Sequence, residues 1–304
     1  MGRHYLNNEL DVNYDRQAIA VAMGEEAEQE NTYQLFRVYW TPSMSFAFSK
    51  QQVVVKTRIS YAHQAYRQSR TGHLWVDPSI QWNWKVSALS SFSADVGYTN
   101  SPLTGKSIYD TPIFTTYRTQ KINQGKTAVT HDLRATATYK YANPVWGVFL
   151  NVSPMYARTS GNILYENVLN DRIFTIVATD KKRATETTGL SGHISKTFGW
   201  AKTLLGLGAS FTTTDYCMLV TGKVNVARMT VTSVALNFSL RPTRLLSVEG
   251  RSSVSFNQQK NQTAPQLSSG STNDWEHRLN IHVFPANGWM LSINNQLFHT
   301  NSEG

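Results

Sequence analysis

The residues that could carry chemistry are few and scattered along the chain. No two histidines have the H-E-x-x-H spacing of a helical zinc site, and His277 and His282 are five positions apart, which points them to opposite faces of a strand. Cys217 is the single cysteine, so no disulfide framework or multi-cysteine metal site can form within the chain. We therefore expect no bound metal and no cofactor.

Candidates for acid–base or nucleophilic catalysis stand out by position only. Enzymes built on membrane barrels place acidic, serine or histidine residues at the outer rim, where this chain has His131, Asp132, Asp215 and Asp274. Neither a G-x-S-x-G elbow nor a phosphate-cradling loop occurs. Because no further groups converge on these residues in the sequence, we interpret them as solvated rim residues and expect no enzymatic activity.

The dominant pattern is an alternation of apolar and polar residues with a period of two. It is clearest over residues 35–48, 79–86, 91–98, 132–141, 233–241 and 278–283. The strands that these stretches predict are about 10 to 16 residues long, whereas globular strands average about 5 to 6 and a tilted membrane strand needs about 9 to 11. The chain also lacks an apolar run long enough for a membrane helix. The pattern predicts an all-β, antiparallel, up-and-down transmembrane β-barrel of about 13 strands.

The connections between these stretches alternate between short and long. Short turns are predicted near residues 49–52, 86–89, 143–144, 199–200, 243–244 and 286–288, and longer polar loops near residues 24–31, 66–73, 101–130, 161–185, 216–227 and 258–273. Outer-membrane barrels have short periplasmic turns and long extracellular loops, with aromatic girdles at both interfaces. Tryptophans such as Trp82 and Trp146 fall on the short-turn side, and Trp75 and Trp275 fall on the long-loop side.

The predicted strand count is odd. The first strand, near residues 4–22, and the last, near residues 290–300, both run outward, whereas bacterial single-chain barrels have an even number of strands. Residues 1–304 show no signal peptide and no closing strand that ends in an aromatic residue. We therefore expect residues 1–304 to form a single unit, an incomplete segment of a larger barrel located in the bacterial outer membrane.

Four turn segments carry a resemblance to a known family. They are residues 139–144 (YKYANP), 194–203 (ISKTFGWAKT), 239–249 (SLRPTRLLSVE) and 282–289 (HVFPANGW). In these turns and in the spacing of its strands along the sequence, the chain resembles the barrel portion of Bacteroidetes-type TonB-dependent outer-membrane receptors. The resemblance implies a barrel of about 22 strands with a plug in its lumen. It also implies TonB as the periplasmic partner and allows a surface lipoprotein lid, while residues 1–304 contain no plug domain.

Charge suggests a role for the inward-facing side of the strands. The formal net charge of +9 is spread along the chain rather than concentrated in a basic patch, so nucleic-acid binding is disfavoured. The alternation turns eight basic side chains inward, namely Lys56, Arg58, Lys85, Arg134, Lys140, Arg241, Arg251 and Arg278. Two interpretations are open: a lumen that attracts anionic solutes or an acidic plug surface, or a hydrated interior joined by cross-strand ion pairs.

Aromatic and arginine side chains on the two longest loops are candidates for substrate binding. They are Tyr109, Phe114, Tyr117, Arg118, Tyr165, Arg172 and Phe174. Such residues stack on sugars or peptides, but they can equally pack on one another to extend the hairpins above the membrane. With the resemblance, they suggest uptake of a glycan, a peptide or a metal chelate. A plug-free passive pore, an adhesin-like protein, a barrel enzyme and a soluble all-β protein are the alternatives.

Overall fold

A computed structural model describes residues 3–21, 29–66, 69–102, 112–122, 129–170, 173–220, 222–263, 270–286 and 288–303 of the chain. Thirteen long strands of 13 to 21 residues dominate it. They are β1 (Arg3–Val21), β2 (Gln29–Ala47), β3 (Gln51–Tyr66), β4 (Ser69–Lys85), β5 (Ser90–Pro102), β8 (Val129–Asn143), β9 (Val148–Gly161), β12 (Arg183–Phe198), β13 (Thr203–Val220), β14 (Lys223–Thr243), β15 (Leu246–Asn261), β16 (Gly270–Val283) and β17 (Leu291–Glu303).

Four short strands complete the sheet. They are β6 (Ile113–Thr116), β7 (Thr119–Ile122), β10 (Leu164–Asn170) and β11 (Ile173–Thr179). A 3-10 turn at Trp200–Lys202 is the one helical element of the described residues. None of the helical structure described for the chain is long and apolar enough to cross a membrane.

The long strands follow one another in an up-and-down, antiparallel order. Each pairs with the next long strand along the chain, so β5 pairs with β8 and β9 pairs with β12 across the short-strand hairpins. Within the described residues, β1 and β17 form the two edges and do not pair with each other. The predicted fold class, an antiparallel outer-membrane-type β-barrel sheet, is confirmed, and the sheet is not closed.

Strand pairing separates the side chains into an apolar and a polar face. One row of directly paired residues crosses seven neighbouring strands as Leu6, Met44, Val55, Ile80, Val96, Ala135 and Tyr156. The row one residue further along, on the other face, contains Asn7, Ser43, Lys56, Ser79, Gly97, Arg134 and Ala157. Leu6, Met44, Ile80 and Val96 are exposed. Apolar residues in such a band are stable against lipid, whereas in water they would form an unusually large exposed patch.

Several connections are shorter than the sequence predicted. β3 ends at Tyr66 and β4 begins at Ser69, and β13 ends at Val220 before β14 begins at Lys223, so the predicted loops at 66–73 and 216–227 are mostly strand. The reason is that their polar residues continue the hairpin ladders beyond the apolar band, as in Tyr66↔Ser69 and Val220↔Lys223. The predicted loops at 101–130 and 161–185 contain the short strands β6, β7, β10 and β11.

A compact cluster covers the long-loop end of the polar face. Tyr33 and Leu35 of β2, Ala62 and Tyr66 of β3, and Trp75 of β4 are buried against one another. They lie on the same face as Lys56, because they occupy the alternate positions of their strands. The polar face is therefore packed at its outer end and polar below it.

The two faces respond differently to a new charge. Leu236, at the centre of the apolar band of β14, pairs with Leu207 and is 49% exposed. In bilayers, Leu236→Arg is expected to lower the free energy of unfolding by about 2–4 kcal/mol, because a guanidinium at midplane depth loses its hydration. The neighbouring control Ala235→Arg, on the polar face, is expected to stay within about 0.5 kcal/mol of wild type. Equal costs in reversible unfolding from liposomes would contradict the assignment of the faces.

Candidate functional site

The two long loops meet in a small sheet above the long strands. β6 pairs with β7, β7 runs parallel to β11, and β11 pairs with β10. β10 in turn touches β13 at Glu166↔Leu219. We call these four strands the extension. The base of its β10–β11 hairpin is buried, where Ile163, just before β10, packs against Ala178 beside Tyr165.

Polar contacts join the hairpins of the extension to each other and to the long strands. The backbone N–H of Phe174 donates to the carbonyl oxygen of Arg118 at 2.8 Å, and the Gln120 amide donates to the Thr175 hydroxyl at 2.8 Å. At the tip of the β13–β14 hairpin, Gly222 N–H donates to a carboxylate oxygen of Glu166 at 2.8 Å, and its carbonyl accepts a hydrogen bond from the Lys181 ammonium. The extension is thus tied to the long strands at the tip of the β13–β14 hairpin.

The extension carries five of the seven predicted substrate-binding residues, while Tyr109 and Arg172 lie outside the described residues. Tyr117 and Arg118 form the tip of the β6–β7 hairpin, and the Arg118 guanidinium lies 5.0 Å from the centre of the Tyr117 ring. Phe174 is held next to Arg118 by the β7–β11 pairing. Together with Phe114, these side chains are exposed, and Tyr117 is 83% exposed.

Tyr165 has a different environment from the other four. It lies beside the buried core of the extension, and the Lys121 ammonium is 4.5 Å from the centre of its ring. Burial raises the pKa of the Tyr165 phenol above its ordinary value, against the opposing charge of Arg183. Tyr165 therefore packs the extension together, whereas Phe114, Tyr117, Arg118 and Phe174 form its free surface.

Strand pairing places seven of the eight predicted lumen-facing cations on the polar face of the sheet, and the eighth, Arg241, lies at a register irregularity between Leu240 and Thr243. Arg134 continues the row of Lys56, and Arg251 lies directly opposite Arg278 on the neighbouring strand. Two of the eight form ion pairs: Arg58 with Asp77, and Arg278 with Glu276. Within the described parts of the chain, no ion pair involves the other six, namely Lys56, Lys85, Arg134, Lys140, Arg241 and Arg251.

A polar network crosses four strands where the β4–β5 pairing ends. That ladder stops at Ser79↔Gly97, just below Pro78, which has no N–H to donate. Asp77 replaces the lost backbone partner, because one of its carboxylate oxygens accepts the backbone N–H of Asn100 at 2.9 Å and the amide of Asn100 at 2.8 Å. Its other oxygen accepts two hydrogen bonds from Arg58, at 3.0 and 2.8 Å.

The network ends in aromatic and histidine contacts. Nδ1 of His131 lies 2.6 Å from the amide oxygen of Asn100, and its ring stacks on Tyr98. On the other side, Arg58 and Arg37 both lie over the ring of Tyr39, at 5.3 and 5.6 Å from its centre. Asp77 is only 7% exposed, and a buried carboxylate requires partners for its charge. Here the partners are the Arg58 guanidinium and two N–H donors of Asn100.

Sequence reasoning missed this network. Asp77 and Asn100 lie outside the alternating stretches that define the predicted strands, and hydrogen bonds between distant positions leave no periodic signal. The one local signal is the Asp77-Pro78 pair inside a strand, since an internal proline often marks an interrupted ladder.

The residues considered for catalysis do not form one site. Asp215 pairs with Arg228, Asp132 accepts a hydrogen bond from Thr159, Asp274 accepts one from Asn257, and His131 belongs to the Asp77 network. Over the described ranges, no group of three or more His, Cys, Asp or Glu side chains could hold a metal ion.

Comparison with known proteins gives a distant structural likeness. No protein-family model and no curated protein matches the chain. The chain is similar to OmpTdeltaL8, a loop L8 deletion mutant of OmpT, an outer membrane protein of Vibrio cholerae, with a TM-score of 0.33 and 9% identity over 99% of this chain and 94% of that chain. A likeness of this size carries no argument, so the class of the chain follows from its own strands.

Those strands define a class. Thirteen long antiparallel strands, each with one apolar and one polar face, form the sheet of an outer-membrane β-barrel protein. Short turns alternate with the taller hairpins and the extension, which orients the sheet with the turns on the periplasmic side. The bacterial outer membrane is the location of the chain.

Loss of the Asp77 charge tests the network. Asp77→Asn is expected to lower the free energy of unfolding by about 1.5–3 kcal/mol, because Arg58 loses its charged acceptor in a mostly buried place. The matched control is Asp215→Asn, which breaks the more exposed Asp215–Arg228 pair and is expected to cost less than about 1 kcal/mol. Denaturant unfolding in lipid measures both, and similar small losses would show that the network adds nothing beyond a surface pair.

Proposed function

We propose that the chain is the barrel part of an outer-membrane uptake receptor of the TonB-dependent type, whose extension binds an anionic nutrient. The observation that carries the proposal is the free surface of the extension. It presents Phe114, Tyr117, Arg118 and Phe174 to the outside, beyond strands whose polar face carries five cations that form no ion pair among the described residues.

The composition of this free surface favours binding over packing. Aromatic side chains that served only to pack the hairpins would be covered, as Tyr165 is. Phe114, Tyr117 and Phe174 are instead exposed, and the Arg118 guanidinium lies over the ring of Tyr117. Exposed aromatic residues with arginine are typical of binding hot spots, because rings supply contact area and the guanidinium binds carboxylates or phosphates bidentately.

The cations of the polar face favour an anionic nutrient. An interior joined by cross-strand ion pairs would give most of its basic residues an acidic partner. Among the described residues, only Arg58 and Arg278 of the predicted set have an acidic partner. Arg251 and Arg278 lie directly opposite each other on neighbouring strands. Basic side chains without an acidic partner attract and guide counter-charged solutes. Within the nutrient classes suggested by the sequence, acidic peptides and anionic metal chelates fit this surface best.

The energy-coupled part of the proposal rests on the resemblance in the turn segments. On this proposal, the plug domain and TonB act with the sheet in a longer receptor, and a surface lipoprotein is a further partner. The polar face would then surround the plug as well as the solute. No cofactor takes part in such uptake.

Binding to the extension is tested with labelled probes on cells that display the protein. The probes are an acidic oligopeptide, an anionic ferric chelate and a neutral oligosaccharide. The double variant Tyr117→Ser, Arg118→Gln is expected to lower the binding of one anionic probe by about a hundredfold, since each of two hot-spot residues contributes at least about 1.4 kcal/mol, or about tenfold. The control Lys182→Gln, an exposed basic residue of the β11–β12 connection, is expected to bind normally.

Energy coupling separates the proposed receptor from a passive pore. A protonophore is expected to stop internalisation of the bound probe while surface binding continues. Internalisation that continues without the proton gradient would contradict the TonB-dependent part and favour the passive pore. Unchanged binding of all three probes by the double variant would contradict a substrate site on the extension.

A further inference from the structure

Three basic side chains line one cavity at the short-turn rim. The cavity, of about 630 Å³, lies between the β12–β13 turn and the β14–β15 turn, and Lys202, Arg241 and Arg244 line it together with Gly199, Pro242 and Thr243. In the described part of the chain, none of the three has an acidic partner. Three like charges around one cavity repel one another unless an anion lies between them.

The backbone of the β12–β13 turn holds Lys202 in an unusual conformation. Its φ of 45° makes Lys202 the one non-glycine residue with a positive φ in the described ranges. Left-handed backbone costs an ordinary L-residue about 1 kcal/mol, and such strain clusters at functional sites. The turn is fixed by hydrogen bonds from Lys202 N–H to the Gly199 carbonyl and from the Thr203 hydroxyl to the Trp200 carbonyl.

A second cavity adjoins the basic one. It has a volume of about 490 Å³ and is bordered by the β8–β9 turn and by the end of β12. Its lining is largely apolar, and it shares Gly199 and Lys202 with the basic cavity. The apolar lining consists of Pro144, Val145, Trp146, Phe149 and Phe198. Val145 and Trp146 are among the most exposed apolar residues of the chain.

Exposed tryptophans show the depth at which both cavities lie. Trp146, Trp200 and Trp289 project from three of the short turns and are each at least 70% exposed. Tryptophan is enriched at the level of the lipid headgroups, where its ring contacts both apolar and polar surroundings. The anions available at that depth are the phosphate groups of lipids in the periplasmic leaflet.

We propose that this rim binds an anionic phospholipid, with its phosphate in the basic cavity and an acyl chain along the apolar one. Phosphate is the group recognised, and guanidinium and ammonium groups bind it through charge-assisted hydrogen bonds. Inorganic phosphate offers the same charge, but it would leave the apolar cavity without an occupant. This site lies at the opposite rim from the extension. Arg241 also belongs to the eight predicted lumen-facing cations, but the lipid proposal does not depend on the uptake proposal.

Lipid titrations of the purified full chain, followed by native mass spectrometry, test the site. Phosphatidylglycerol is expected to bind, while phosphatidylcholine with the same acyl chains is expected to bind far more weakly. The triple variant Lys202→Gln, Arg241→Gln, Arg244→Gln is expected to lose roughly a hundredfold in affinity for phosphatidylglycerol, since each basic residue near an anionic lipid contributes about fivefold. The control Lys50→Gln, Lys182→Gln, Lys223→Gln removes the same charge elsewhere and is expected to bind normally.

A second variant separates the lipid from free phosphate. Val145→Ser, Trp146→Ser is expected to weaken long-chain phosphatidylglycerol and to leave the weak binding of glycerophosphate unchanged. Heat-modifiable migration on gels reports that each variant is folded. Equal phosphatidylglycerol binding by the triple variant and its control would overturn the site. Competition by inorganic phosphate with no dependence on acyl chains would overturn the lipid as its occupant.

Discussion

Backbone hydrogen bonding in a lipid environment is the constraint on which this structure depends. Hydrocarbon offers no partner for an N–H or C=O group, so a strand that crosses it must pair along both sides. Eleven of the thirteen long strands meet this requirement with ladders on both sides that continue beyond the apolar band, such as the paired residues from Leu204↔Ser239 to Val220↔Lys223 between β13 and β14. Among the described residues, the edge strands β1 and β17 each pair on one side only, and they run in the same direction, so they could meet only as a parallel pair.

The same ladders determine on which face of the sheet each polar or apolar side chain lies. Because side chains alternate, every strand contributes to the lipid-facing surface and to the polar face at once. Polar networks and candidate binding sites then lie where a ladder is interrupted or where it ends. The Asp77 network lies where the β4–β5 ladder stops, the extension lies above the strand ends, and the basic cavity lies at the turns below. Interruptions of the ladder are therefore the places where the polar groups of this chain converge.

Much of the fold could be predicted from the sequence, because the alternation is a local signal. The alternation within residues 35–48 and 233–241 predicts these strands and their faces without reference to the strands that pair with them. The number of long strands, thirteen, agrees with the predicted number. The short strands could not be predicted in this way. β7 and β11 are stabilised by pairing between two different loops, as in Phe174↔Thr119, and no periodicity within either loop records that contact. The contact between Asp77 and Asn100 is invisible for the same reason, since 23 positions separate the two residues.

The division into a lipid-facing and a polar face is the central claim, and accessibility along one strand tests it most directly. With Cys217 replaced by serine, single cysteines at positions 232 to 238 of β14 would each carry a nitroxide label in the reconstituted protein. The account predicts that collisions with oxygen dissolved in the lipid peak at positions 232, 234, 236 and 238, and that collisions with a water-soluble nickel complex peak at positions 233, 235 and 237. Accessibility without a period of two, or high water accessibility at every position, would contradict a sheet that crosses the membrane.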